Sequence, residues 1–222
     1  MPWLILITIT VCPVDELTLE YQIEKYSFCD TDESPRLAHQ RADVMEECRR
    51  EKEGSKDRLR IALLNVDYVT SFELPFRLLL TRTPQFIDQL RKELHLSQKS
   101  VTFNGKCRGT LYSIQADING TPDSFRYRFS NRIRRVTHSG ITAEPYQYVV
   151  SQVKSPRERL RMILESGLQV NALDGLFWLE LQRIAADVAV LRKEGLEIST
   201  SEVEVFDSLT GTIRVISAYN IM

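Results

Sequence analysis

Arg58-Leu59-Arg60-Ile61-Ala62-Leu63-Leu64 and Arg159-Leu160-Arg161-Met162-Ile163-Leu164-Glu165 open two stretches that decide the fold, because the second repeats the first 101 residues on. Laid over each other without a gap, residues 58–93 and 159–194 are identical at thirteen of thirty-six positions, ending on Leu90-Arg91-Lys92-Glu93 and Leu191-Arg192-Lys193-Glu194. Skipping Gly195 continues the match from 94–116 over 196–218, with seven of twenty-three positions identical, Gly109-Thr110 and Gly211-Thr212 among them. Two copies at one long spacing describe a duplicated domain, since solenoids repeat every ~20–50 residues at least three times.

Each copy carries the same string of local signals. In the second, Ser155-Pro156-Arg157-Glu158 reads as a capping box with proline at the first helical position. Leu160, Ile163 and Leu164 form an apolar stripe, and Gly167 suits the left-handed end of a helix. Asn171 with Asp174 is a second N-cap signal, and Leu181, Ile184, Val188 and Leu191 give a third helix its 3.6-residue period, which Gly195 ends. Two strands follow around a turn at Asp207 to Gly211. In the first copy Leu59, Leu63 and Leu64 line the first helix, and Thr70 with Glu73 cap the second. Thr83-Pro84 opens the third, with Phe86, Ile87, Leu90 and Leu94 inward, and 101–104 and 109–118 supply strands. After the Asn119-Gly120 turn, Phe125, Tyr127 and Phe129 alternate with Arg126 and Arg128, as though the hairpin continued into an added basic strand.

Three helices and a hairpin, with Val69-Thr70-Ser71-Phe72-Glu73-Leu74 leading to Leu90-Arg91-Lys92-Glu93-Leu94, resemble the winged helix-turn-helix superfamily. The second copy is similar to small helix-turn-helix domains of bacterial and phage proteins. It matches them through Ala185-Ala186-Asp187-Val188 and Leu191-Arg192-Lys193-Glu194-Gly195. The first copy departs by lacking the glycine after Glu93 and by placing Pro84 at the start of its third helix. The resemblance implies an α+β chain of two tandem winged helices, at 55–118 and 155–222. An N-terminal β-hairpin and helix at 1–54 and a basic strand with linker at 119–154 complete it.

In the N-terminal part, Ile5 to Val11 is β-branched and suits a buried strand; it is too short to span a bilayer and has no basic n-region. Leu17, Leu19, Tyr21 and Ile23 alternate with polar residues, which predicts a strand pairing with 3–11 and, through these edges, a homodimer. Ser34-Pro35 opens a helix through Lys52 with Leu37, Val44, Met45 and Cys48 on one face. Four cysteines without a CxxC pair and three scattered histidines build no zinc or redox site, so no metal and no cofactor are expected and the thiols fit a reduced, cytoplasmic protein. Asp117 and Asp123 lack the third partner a nuclease site needs, and no phosphate loop or catalytic triad is present, so an enzyme is not expected.

The formal charge of −1 conceals an asymmetry: residues 15–54 hold twelve acidic and six basic side chains, whereas 99–154 hold nine basic and three acidic. A polyanion should therefore meet the middle of the chain, at Lys106, Arg108, Arg126, Arg128, Arg132, Arg134 and Arg135. What the resemblance adds is a base-reading helix. Its readers would be Thr81, Arg82, Thr83, Gln85 and Gln89 in the first copy, and Gln182, Arg183 and Ala186 in the second. Arg82 and Arg183 share a repeat position, and arginine can bond guanine O6 and N7 together. The expectation is a sequence-specific double-stranded DNA-binding protein: a transcription regulator, or a replication or recombination accessory factor. The rival is a winged-helix protein-interaction module, as in chromosome-condensing complexes or a phage-borne inhibitor of a host enzyme, which the acidic second copy and the small net charge favour.

Overall fold

The computed structural model describes residues 18–23, 28–105, 107–115, 117–129, 133–137, 139–181 and 183–221. The chain begins with strands β1 (Leu19–Ile23) and β2 (Phe28–Asp30), then helix α1 (Pro35–Glu51). Next come α2 (Ser55–Asn65), β3 (Val69–Thr70), α3 (Leu74–Arg77), α4 (Thr83–Leu94), β4 (Ser97–Phe103) and β5 (Cys107–Ser113). The middle holds β6 (Ser124–Phe125), β7 (Tyr127–Phe129), β8 (Ile133–Thr137), β9 (Gly140–Ile141) and α5 (Glu144–Gln152). Last are α6 (Pro156–Glu165), β10 (Val170–Asn171), α7 (Ala172–Phe177), α8 (Ile184–Lys193), β11 (Ile198–Asp207) and β12 (Thr212–Ile221).

The fold is α+β, and the order helix, two-residue strand, short helix, long helix, hairpin occurs twice. In both units the two-residue strand lies antiparallel to the second hairpin strand, Thr70 opposite Leu111 and Asn171 opposite Ala218. The identities of the duplication are its core. Leu59, Leu63, Val69, Leu78, Leu80 and Leu90 are buried, and so are Leu160, Leu164, Val170, Leu179, Leu181 and Leu191. Leu64, expected on the buried stripe, is exposed: it stands about 100° round the helix from Leu63. Leu79 and Glu180, again at one repeat position, both take a left-handed turn ahead of the long helix, at φ 51° and 58°.

Capping follows the sequence only in part. Asn171 accepts from the N–H groups of Leu173 and Asp174, and Asp174 accepts from that of Asn171, a full reciprocal box. In the first unit Glu73 accepts from the Thr70 N–H at 2.9 Å, but the Thr70 hydroxyl turns to that of Tyr127 at 2.8 Å. Ser155 makes no side-chain cap, whereas Ser34 caps α1 through the N–H of Leu37.

Equivalence between the copies ends with the long helices. The pairing of β3 and β10 makes Leu111, not Ala116, the counterpart of Ala218. The second hairpin has ten-residue strands against seven in the first. Gly109 consequently lies within β5, while Gly211 takes the hairpin turn at φ 67°. The residue that matches Gly195 (φ 98°) in ending a helix is His95, at φ 50°.

The flanking segments are absorbed into the two units. β1 lies between β11, to which it is parallel, and β8, to which it is antiparallel, in a sheet ordered β10-β12-β11-β1-β8-β9. β1 is thus an inner strand of this sheet, paired with β11 at Leu19 and Glu20 and with β8 from Glu20 to Ile23; the strand expected at 3–11 lies outside the described residues. Helix α1 buries Leu37, Val44 and Cys48 in the same core as Leu59 and Leu63. The stretch expected to prolong the first hairpin instead crosses to the far side of β4. There β6 is parallel to β4, and β7 pairs with β2.

Phe76 and Phe177 occupy the same repeat position, and their rings pack against each other with centroids 5.6 Å apart. Contact between equivalent residues is the mark of an isologous, two-fold-like arrangement. The units therefore face each other, and Leu209 at the tip of the second hairpin is buried in the first unit's core.

Candidate nucleic-acid interface

That arrangement brings the two long helices to one cleft of about 1070 Å³. From α4 and the turn before it come Thr81, Arg82, Pro84, Gln85 and Gln89; from α8 and its approach come Arg183, Ala185 and Ala186. Consecutive residues of β12, Arg214 to Ser217, form a further side, and Asp88 and Glu202 supply negative charge. Arg82 and Arg183 are the N-cap residues of their helices, and neither helix has a side-chain cap. The free N–H groups and the positive ends of both helix dipoles accordingly lie beside two guanidinium groups. Arg82, Gln85, Gln89 and Arg183 are exposed, and neither arginine forms an ion pair among the described residues. Thr81 is half-buried, Thr83 is buried and absent from the lining, and Gln182 lies outside the described residues. Asp187, which would repel a phosphate, is held by Arg157 at 2.9 Å.

The basic run does not form one track. Arg108 faces Thr102 across the first hairpin, Thr102 faces Ser124 on its other side, and Arg126 follows two residues later. Arg108 and Arg126 are both exposed. Arg134 is exposed on β8, in the six-stranded sheet, whereas Arg108 belongs to the four-stranded one. Arg135 next to it must point the opposite way along a strand, and it is buried, 7% exposed. Its Nε donates to Asp174 Oδ1 at 3.1 Å and its Nη1 to Thr142 at 3.0 Å, so it is a core ion and not a surface contact. Lys106 and Arg132 lie outside the described residues, as does the side chain of Arg128.

Sequence reasoning missed the contribution of β12, Arg214 above all, because no local pattern says where a hairpin will dock. The carboxylates weighed as nuclease ligands are committed elsewhere: Asp123 pairs with Lys99 at 2.8 Å, and Asp117 accepts from the N–H of Asn119. Among the described residues no three His, Cys, Asp or Glu side chains come together to hold a metal, and no helix is long and apolar enough to cross a membrane. No protein-family model, curated protein or solved structure matches this chain.

Proposed function

We propose that the chain is a non-catalytic, sequence-specific binder of double-stranded DNA, each unit working as a winged helix, with a role in transcription, replication or recombination in the cytoplasm. The observation that carries this reading is the convergence of Arg82, Gln85 and Gln89 with Arg183 on a cleft lined by two uncapped helix starts. Helix N-termini, with guanidinium groups that form no ion pair among the described residues, favour a phosphate backbone, and arginine and glutamine can read guanine and adenine edges. Arg108 on the first hairpin and Arg126, just after β6, add a further backbone contact. The second hairpin plays a different part, because its tip is buried.

A protein-binding role is the competing reading, favoured by Ile213 and Val215, which are 50% and 56% exposed on β12 beside the cleft. Anisotropy titration of a labelled random-sequence duplex, from low to moderate salt, separates the two. DNA binding by several phosphate contacts weakens steeply and linearly in log salt. An absence of binding at low salt rejects the DNA reading and leaves the apolar strip as the functional surface.

A further inference from the structure

Two features of the cleft go beyond DNA binding as such. The first is symmetry. Arg82 and Arg183, Pro84 and Ala185, and Gln85 and Ala186 are pairs at equal repeat positions, and every one of these residues lines the same cleft. With Phe76 against Phe177, equivalent residues meet both at this contact and around the cleft, as a local two-fold would place them. The second is a clamp that this symmetry does not require. Asp207, wholly buried at the end of β11, sets Oδ2 2.7 Å from Arg58 Nη1 and 3.5 Å from Arg214 Nη1. Arg58 also donates to the Leu78 carbonyl and to Thr210 Oγ1, each at 3.2 Å, and Arg214 donates to the Leu79 carbonyl at 3.0 Å. Leu209 fills the first unit's core beside them. The second hairpin thus grips the Leu78–Leu79 turn, three residues before Arg82, while its own strand β12 lines the cleft.

Among the described residues the other unit shows no such grip. Arg159 matches Arg58 in position and in donating Nε to a backbone carbonyl, at Val153 as Arg58 does at Glu53, both at 2.7 Å. Its Nη1 meets Glu180 of its own unit at 3.5 Å.

We propose, resting on the DNA-binding reading, that a single chain reads a short inverted repeat. Arg82 and Arg183 take matching positions on the two strands, and the clamp of Arg58, Asp207 and Leu209 fixes their separation. Dimeric helix-turn-helix proteins place their half-sites about one helical turn, ~34 Å, apart. Here both readers line one cleft, so the half-sites abut. Arg82 and Arg183 are the reading residues; Asp207, Leu209 and Thr210 are positioning residues.

Binding-site selection from random duplexes with the full chain is expected to return abutting inverted half-sites, bound at one chain per duplex. One base pair inserted at the centre lowers wild-type affinity about tenfold or more, the order of a mismatch penalty. Leu209→Ala, checked for native circular dichroism, loses affinity for the selected site and responds to the insertion by less than about threefold. A general loss of stability would weaken all spacings alike and not flatten the profile, and Leu209→Met restores the wild-type profile. Thr210→Val, which removes the hydroxyl bonded to Arg58 and to Thr212, gives the same flattening should Leu209→Ala fail to fold. A selected site with direct or unrelated halves, or two chains per duplex, overturns the inverted-repeat assignment. A spacing profile unchanged in both variants overturns the clamp's role and leaves DNA binding standing. Absence of wild-type duplex binding removes the functional reading itself.

Discussion

The Tyr21 hydroxyl donates to Asp174 Oδ1 at 2.7 Å across 153 positions of the chain, and its oxygen accepts from Asn171 Nδ2 at 2.6 Å. Asp174 and Asn171 are the capping pair of α7, so a strand from the N-terminal region finishes a cap in the second unit. The first unit repeats the device. Its capping acid Glu73 is ion-paired to Arg41 and Arg77, and Thr70 shares a hydroxyl bond with Tyr127. Tyr21 and Arg135 serve one cap, Tyr127 and Arg41 the other, and all four come from outside the duplicated stretch. Described residues from both flanking segments thus complete the caps of the two units.

Tyr21→Phe is therefore expected to destabilise the protein by about 1–3 kcal/mol, because Asp174 and Asn171 both lose a partner in a dry core. Burial already pushes the Asp174 carboxyl up, against the pull of Arg135, so the remaining charge is poorly solvated. Tyr127→Phe leaves the ion pairs of Glu73 in place and should cost only about 0.5–1.5 kcal/mol. Urea unfolding of the two variants measures the difference; equal losses would contradict the account.

Cys48 gives the protein an alkaline limit. Its thiol is wholly buried, and burial pushes its pKa from 9.0 up to about 11. The fold holds the neutral form, so this contribution is complete below pH 9 and is lost as the pH rises towards 11. A loss on the order of 2 kcal/mol is expected over that window. Tyr21 and Tyr146, pushed up by burial in the same sense, begin to act only above their ordinary value of 10.0. Cys48→Ala should begin less stable at neutral pH yet lose less between pH 8 and 10.5, read from urea midpoints at each pH. An identical slope in the variant would assign the alkaline limit to other groups.

Two glycines that align in sequence should fail for opposite reasons. A Cβ on Gly109 would lie 2.2 Å from Phe72 Cζ, whereas at Gly211 it meets open space but a φ of +67°. Gly109→Ala is expected to cost about 1–3 kcal/mol by overpacking, much of it recovered in a double variant with Phe72→Leu. Gly211→Ala should cost about 1–2 kcal/mol from backbone strain, with no change when Phe72 is shortened. Thermal unfolding of the three single variants, Phe72→Leu included, and the two double variants closes two double-mutant cycles, and coupling of Gly211 to Phe72 would refute the distinction.

The helices and their buried leucines were legible because a 3.6-residue period and its caps are local signals that two copies reinforce. The match across the hairpins was not a structural one, since Gly-Thr pairs suit a strand crowded by a ring and a left-handed turn alike. The place of β1 was hidden, for its partners Val205 and Val136 lie more than one hundred residues away. Strand alternation did contain the fate of Arg135, as two adjacent arginines on a strand cannot both face solvent when one sheet face is core. Both reader segments were visible, but their meeting in one cleft depends on Phe76 packing on Phe177 and on where Leu209 lands, which no local pattern encodes.

Positioning and reading should separate on the surviving arginines. Arg108 and Arg126 lie on the first hairpin's sheet, away from the cleft. Replacing both with alanine is expected to weaken binding to all duplexes alike and to lower the salt slope by about one per lost phosphate contact. Arg82→Ala or Arg183→Ala should instead cost about 1–3 kcal/mol on the preferred site and relax one base position each. Arg135→Ala belongs to neither group. It strands the buried Asp174 carboxylate, so its effect should appear as lost stability, about 3–5 kcal/mol, before any effect on DNA. Competition titrations against a scrambled duplex, paired with urea unfolding of every variant, measure all three quantities. Equal losses on selected and scrambled DNA for Arg82→Ala and Arg183→Ala would make both arginines backbone contacts. A stable Arg135→Ala variant with weakened binding would return that residue to the surface.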